Sequence, residues 1–173
     1  MLFHLEKESL LASGLKDHRR LVGYREKLDQ LAKQFMGQMK PLHKPMEKAR
    51  FLFDWLWERK PGRYEPQGHF RLNDVIDAEL SKENRTVGNC LGLTLLYHCL
   101  LKKMSIHADA IYLENAFGMG PHVLTLLQTG ASAIDIESIL PDGFDYKGHL
   151  NNPSRARWED KELVADIYHS LGN

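Results

Sequence analysis

The run Leu91-Gly92-Leu93-Thr94-Leu95-Leu96-Tyr97-His98-Cys99-Leu100-Leu101 constrains this chain more than any other stretch. A helix built from it is apolar on nearly every face, so it has no side to give to solvent and must be enclosed by the rest of the chain. Gly88-Asn89 before it lets the backbone turn sharply. Lys102 and Lys103 after it sit where cations suit the helix dipole. Cys90 therefore falls at the start of a central, buried helix, and everything else has to be read as cover for that helix.

Enough chain is present to supply the cover. With 173 residues, 43% of them hydrophobic, one core and one domain are expected over 1–173, as N-terminal helices (1–44), a core (45–140) and a tail with a closing helix (141–173). Lys plus Arg and Asp plus Glu are equal at 23 each, so no global field gathers nucleic acid or an anionic membrane, and neither is expected as a partner. The cluster Lys16, His18, Arg19, Arg20 reads as a solvated helix face. Met1 to Leu5 is too short and too soon broken by Glu6 and Lys7 for a signal segment, and no apolar run approaches a membrane span. A cytoplasmic location is the resulting expectation. Cys90 and Cys99 lie on one expected helix, about 13 Å apart at roughly 1.5 Å per residue, beyond disulfide reach. Both are expected to be free thiols.

Periodicity supplies the elements. Leu21, Tyr24, Leu28, Leu31, Phe35 and Met39 recur at spacings of three and four, which marks an amphipathic helix ending near Pro41. Pro45 suits a first helical position, and Met46, Ala49, Leu52, Phe53 and Leu56 carry a second helix to about Arg59, where Lys60-Pro61-Gly62 stops it. Another helix is expected over 6–18, and a short one from Leu72 to about Ser81. Tyr64 to Phe70 and Lys82 to Asn89 read as loops. After Met104 the texture changes to three short strands, Ile106 to Leu113, His122 to Leu127 and Ala131 to Ile136, with Gly118, Gly120 and Pro121 in the first connection and a tight hairpin at Thr129-Gly130. Leu140 to Pro153 reads as loop, and Trp158, Leu163, Val164, Ile167 and Leu171 imply a terminal helix. The sum is an α+β domain: a helical N-terminal half, a central buried helix carrying Cys90 packed on a small antiparallel sheet, and a C-terminal helix.

A free thiol near its ordinary pKa of about 8.5 is only a few per cent thiolate at neutral pH, and the thiolate is the nucleophile. A helix N-terminus and a nearby imidazolium both favour thiolate. Cys90 has the first, and His122, at the start of a strand downstream, is the candidate for the second. Gly92 is expected to let a substrate or a neighbouring backbone approach the first helical turn. A hairpin centred at Thr129-Gly130 pairs Leu127 with Ser132, Thr125 with Ile134 and His122 with Glu137. Asp135 then faces Leu124, diagonal to His122. Either carboxylate could accept the imidazole hydrogen bond that fixes the tautomer and stabilises the charged ring. An oxyanion hole would use the Cys90 backbone N–H and a donor from the preceding loop, with Asn89, Thr86 and Asn84 as the candidates.

Taken together, Val87-Gly88-Asn89-Cys90-Leu91-Gly92-Leu93-Thr94-Leu95-Leu96-Tyr97, then Pro121-His122-Val123, then Ile134-Asp135-Ile136, resemble the transglutaminase-like superfamily of papain-like cysteine enzymes. The helix Glu47-Lys48-Ala49-Arg50-Phe51-Leu52-Phe53-Asp54-Trp55-Leu56-Trp57 also looks like that family's upstream helix. The resemblance covers roughly residues 45–140. It implies Cys90 as nucleophile, His122 as general base and acid, and Asp135 rather than Glu137 as the residue that orients the histidine. It also implies amide chemistry (peptide hydrolysis, deamidation or transamidation) through a thioacyl enzyme, on a protein or peptide substrate. The alternative is a catalytically inactive transglutaminase-like module that binds a protein and keeps the three residues as architecture.

No cofactor is expected. The chain lacks the additional domains of the large calcium-dependent transglutaminases, and no Asp-rich loop of the EF-hand type is visible. Cys90, His98, Cys99 and His122 could be drawn around a zinc ion, but no CxxC or HxxxH pair supports it, so no metal site is expected. His98 and His107 read as satisfied core or surface residues, Cys99 as a small buried hydrophobe, and Trp55, Trp57 and Trp158 as helix packing. Arg155 and Arg157 read as solvated.

Overall fold

The computed structural model describes residues 2–172. Among them are six helices, α1 (Leu5–Ala12), α2 (His18–Gln38), α3 (Pro45–Arg59), α4 (Leu72–Leu80), α5 (Cys90–Lys103) and α6 (Asp160–Gly172), and a four-stranded sheet. Its strands are β1 (Asp109–Leu113), β2 (His122–Thr129), β3 (Ser132–Ile136) and β4 (Ala156–Trp158), in the order β3-β2-β1-β4 with all pairings antiparallel. This is the expected α+β architecture. No helix among the described residues is long and apolar enough to cross a membrane.

The uniformly apolar helix sits where its sequence requires. Every residue of α5 from Leu91 to Leu101 is buried, and the helix lies against β2 and α4. Its core neighbours include Leu28, Leu31 and Phe35 of α2, Leu52, Phe53 and Leu56 of α3, and Val123 and Leu127 of β2. A smaller cluster forms from Ile111 and Leu113 of β1, Leu124 of β2 and Ala116 of the loop between them. The Tyr97 hydroxyl, deep in the helix–helix contact, donates to the Ala49 carbonyl at 2.7 Å, so burial leaves it paired.

Three expectations about the elements are corrected. The helix expected over 6–18 ends at Ala12, because Gly14 takes a left-handed φ of 101° and Asp17 begins α2 by accepting the Arg19 N–H at 2.8 Å. The tail contributes a fourth strand, and Trp158 lies in it rather than at the start of the last helix, its ring stacked on Tyr112 at 4.4 Å. The hairpin after β2 turns on Gly130 and Ala131, one residue later than expected, with Gly130 at φ 59° and Thr129 paired with Ser132. Glycine at the first central position of a two-residue loop is the type II′ preference. One residue of displacement at the turn moves the register by two, so Leu127 pairs with Ile134 and Leu126, not Leu124, pairs with Asp135.

Candidate active site

The start of α5 is built by its two flanking loops. Asn89 caps the helix, its side-chain oxygen accepting the Gly92 N–H at 3.0 Å. The 63–69 loop clasps the approach: Val87 N–H donates to the Arg63 carbonyl (2.8 Å), Glu65 N–H to that of Gly88 (3.1 Å), and Asn89 N–H to that of His69 (3.0 Å). A Cβ at Gly88 would come within 2.7 Å of the His69 carbonyl oxygen, and one at Gly92 would overlap it. Gly92 is thus small to admit the neighbouring backbone. Arg63 is itself buried and fixed, donating to Glu79 at 2.7 Å and to the Leu56 carbonyl at 2.8 Å. Cys90 follows this clasp at the first helical position, half-buried and in no disulfide. The N–H groups of Cys90 and Leu91 have no partner within the helix, as in any first turn, and the dipole there favours negative charge.

His122 opens β2 and is buried. Its Nε2 lies 2.7 Å from Glu137 Oε2. A carboxylate only accepts, so Nε2 carries the proton and Nδ1 is the ring nitrogen left over, while Cys90 acts on the same imidazole to favour its charged form. Burial alone would lower the affinity of this ring for a second proton. The influence of Cys90 and the bond to Glu137 together outweigh burial and raise the His122 pKa from 6.5 to about 9. Glu137 has no exposed surface. Burial pushes its carboxyl upward, yet the bonds from His122 and His149 prevail and hold it below the usual range.

The carboxylate expected on His122 is elsewhere. Asp135 takes a two-pronged ion pair from Arg155, at 2.7 and 2.6 Å. The register explains the exchange: Asp135 sits opposite Leu126, well down β2 from His122, while Glu137, just beyond the end of β3, comes within reach of His122. Arg155, expected to be solvated, is half-buried by this pairing.

The three oxyanion candidates part company. Asn89 is committed to the helix cap through its oxygen. Asn84 is exposed, with its N–H on Ser81 Oγ and its carbonyl on Lys60, and Thr86 is exposed beside a cavity lined by Glu65, Gln67 and Arg71. Tyr64, paired with Gly88 across an isolated bridge, is the neighbour that sequence reasoning missed. Burial, then the negative charges of Cys90 and Glu137, raises its phenol pKa. Cys99 is fully enclosed, and burial pushes its thiol far up. His98 is enclosed too, bonded to Thr125 Oγ1 at 2.9 Å, and burial depresses it to about 3. His107 is an exposed partner of Asp109.

His149 is the second residue that the sequence did not signal. It lies in the 140–155 loop, buried, with Nε2 2.9 Å from the same Glu137 oxygen that His122 uses. The edge of Phe117 packs on both imidazoles, at 5.7 Å from the His122 centroid and 4.9 Å from that of His149. Phe117 holds this position at φ 55°, a strained conformation for an aromatic residue. The only local hint was Gly148, against whose backbone the Tyr146 ring is pressed. The ligand atoms of His122, Glu137 and His149 lie within 4.8 Å of one another, a metal-binding spacing among the described residues. It shares only His122 with the zinc set drawn from sequence. As placed, the two N–H groups are spent on Glu137.

Comparison with known proteins leaves the site to be read from its own geometry. No protein-family profile matches the chain, and no curated protein matches it significantly. Among solved structures it is similar to Legionella pneumophila LapG, at 15% identity and a TM-score of 0.47 over 99% of both chains. The EGTA-treated form of the same protein aligns at 14% identity and 0.43, over 98% of both chains. Likeness at that level is too distant to say anything of fold or activity.

Proposed function

We propose that this protein is a cysteine enzyme of transglutaminase-like type, acting on an amide carbonyl of a protein or peptide through a thioacyl intermediate, with Cys90, His122 and Glu137 as its reacting and orienting groups. The observation that carries the reading is the succession from the half-buried Cys90 thiol, which acts on the His122 ring, to a buried imidazole bonded to a fully enclosed Glu137 carboxylate. Such a chain favours a thiolate–imidazolium pair, because the carboxylate stabilises the charged ring and the helix N-terminus the sulfur.

In the first half-reaction the Cys90 sulfur forms a bond to the carbonyl carbon, and negative charge moves to the oxygen. The free N–H groups of the first turn, Cys90 foremost, are oriented to stabilise it. His122 gives its Nδ1 proton to the departing amine as the C–N bond breaks, leaving a thioester and a neutral ring. In the second half-reaction the same nitrogen takes a proton from water or from an acceptor amine, which attacks the thioester and returns the thiol. Water as acceptor gives hydrolysis or deamidation, and an amine gives transfer.

Iodoacetamide alkylation of Cys90 across pH, located by peptide mass spectrometry, tests this, with the enclosed Cys99 as internal control. The expected result is rapid modification of Cys90 at neutral pH, lost by at least about tenfold in His122→Gln, which keeps a donor toward Glu137 but has no base. Reaction of Cys90 only in the range of an ordinary thiol, unchanged in His122→Gln, rejects the proposal.

A further inference from the structure

Two imidazoles converge on one carboxylate oxygen in the interior, and only one of them is used in the chemistry above. His122 Nε2 and His149 Nε2 stand 2.7 and 2.9 Å from Glu137 Oε2. The other carboxylate oxygen is held weakly, by the Ile139 N–H at 3.4 Å. Without His149, then, this enclosed carboxylate would keep one strong donor, the ring it is supposed to orient. The His149 arm is fixed by bonds independent of Cys90: the His149 carbonyl accepts the Asn152 N–H at 3.2 Å and the Arg155 guanidinium at 3.4 Å. Arg155 is in turn locked to Asp135. Phe117 and Tyr146 pack against the His149 ring at 4.9 and 5.0 Å.

We propose that His149 is a positioning residue, which clamps the Glu137 carboxylate through Nε2–H so that Oε2 stays aimed at His122. The site is then a relay of four groups, Cys90, His122, Glu137 and His149, with its last member anchored to the sheet through Arg155 and Asp135. A donor on a buried carboxylate favours its charged form, and a carboxylate restrained in rotation presents a fixed acceptor to the ring beyond it. Asp135 thereby acts on the site at one remove, by seating the loop that carries the clamp. This inference rests on the reading of Cys90 and His122 as the reacting pair.

The test is the titration of the His122 ring by nitrogen NMR, together with Cys90 alkylation, in the full-length chain carrying His149→Leu or His149→Gln. Leucine keeps apolar volume without a donor, and the glutamine amide nitrogen reaches about where Nε2 sits. Expected is a His122 titration moved down by about one unit in His149→Leu, with about tenfold slower Cys90 alkylation at neutral pH, and near wild-type behaviour in His149→Gln. If His149→Leu does not fold, His149→Asn serves, since its shorter amide withdraws the donor and should show the same loss. Equal effects of leucine and glutamine would mean that His149 only fills space, and no effect of either would mean that Glu137 holds its place without it. Both overturn the proposal while leaving the Cys90 and His122 reading intact. A wild-type His122 that titrates near 6.5 beside an unreactive Cys90 overturns that reading, and the clamp with it.

Discussion

Glu137 and Asp135 sit two residues apart and put one chemistry to two ends. Glu137, enclosed and bonded to two imidazoles, keeps His122 charged, and Asp135, bound by Arg155, holds the 140–155 loop to the sheet. Substitution separates the roles. Glu137→Gln removes the charge facing His122, so the His122 titration is expected to fall from about 9 toward or below its ordinary 6.5. Asp135→Asn should lower that titration by less than the about one unit expected of His149→Leu, since it acts only through the seating of the loop, while costing about 2 kcal/mol of unfolding free energy through the lost charged hydrogen bonds, read by denaturant. Titration of His122 by NMR in both variants checks the pair of outcomes. Cys90 and His122 were legible at this scale because each stands at the start of an element whose pattern is strong. Which carboxylate meets His122 was not, since alternation leaves Asp135 and Glu137 on one side of the strand. His149 and Tyr64 were invisible because each lies in a loop, where a lone side chain has no periodic context.

The elements that sequence placed best are those whose burial follows from their own pattern. Helix α5 is apolar all round and appears where it had to, and α3 begins at its proline as expected. β4 was missed because its three residues, Ala156 to Trp158, carry no alternation and are strand only through pairing with β1. The hairpin shows how small a local error becomes large: a turn displaced by one residue re-pairs the whole of β3. Gly92 is the most exacting position in any element, for the His69 carbonyl occupies the space of its side chain. Gly92→Ala should therefore destabilise by about 3 kcal/mol, as overpacking against backbone does, despite alanine's better helix propensity. A shift of the urea midpoint to lower concentration measures it, and because the displaced backbone is the clasp on Cys90, slower alkylation of that residue should accompany it.

For the molecule as a whole, the site is a stability device with a defined pH window. His122 has a folded pKa raised above its unfolded value, so its contribution is complete below about pH 6.5 and is lost as pH rises through about 9. Glu137 and Asp109 have the opposite sign. Burial raises both carboxyls, but hydrogen bonds from His122 and His149, and from Arg157 and His107, outweigh it and hold them low. Their contribution is present above the ordinary carboxylate range and lost as pH falls through their depressed values. Thermal unfolding should accordingly give a plateau between the two limits, and His122→Gln should remove most of the alkaline fall. Formation of an acyl enzyme on the Cys90 thiol, made and resolved with the help of His122, is read by intact-protein mass spectrometry after mixing with p-nitrophenyl acetate. One acetyl group on Cys90 is expected, formed at neutral pH, discharged by water or an added amine, absent in Cys90→Ala, and both formed and lost more slowly in His122→Gln. Acetylation of Cys90 no faster than that of an unfolded thiol, at the same rate with and without the histidine, would contradict it.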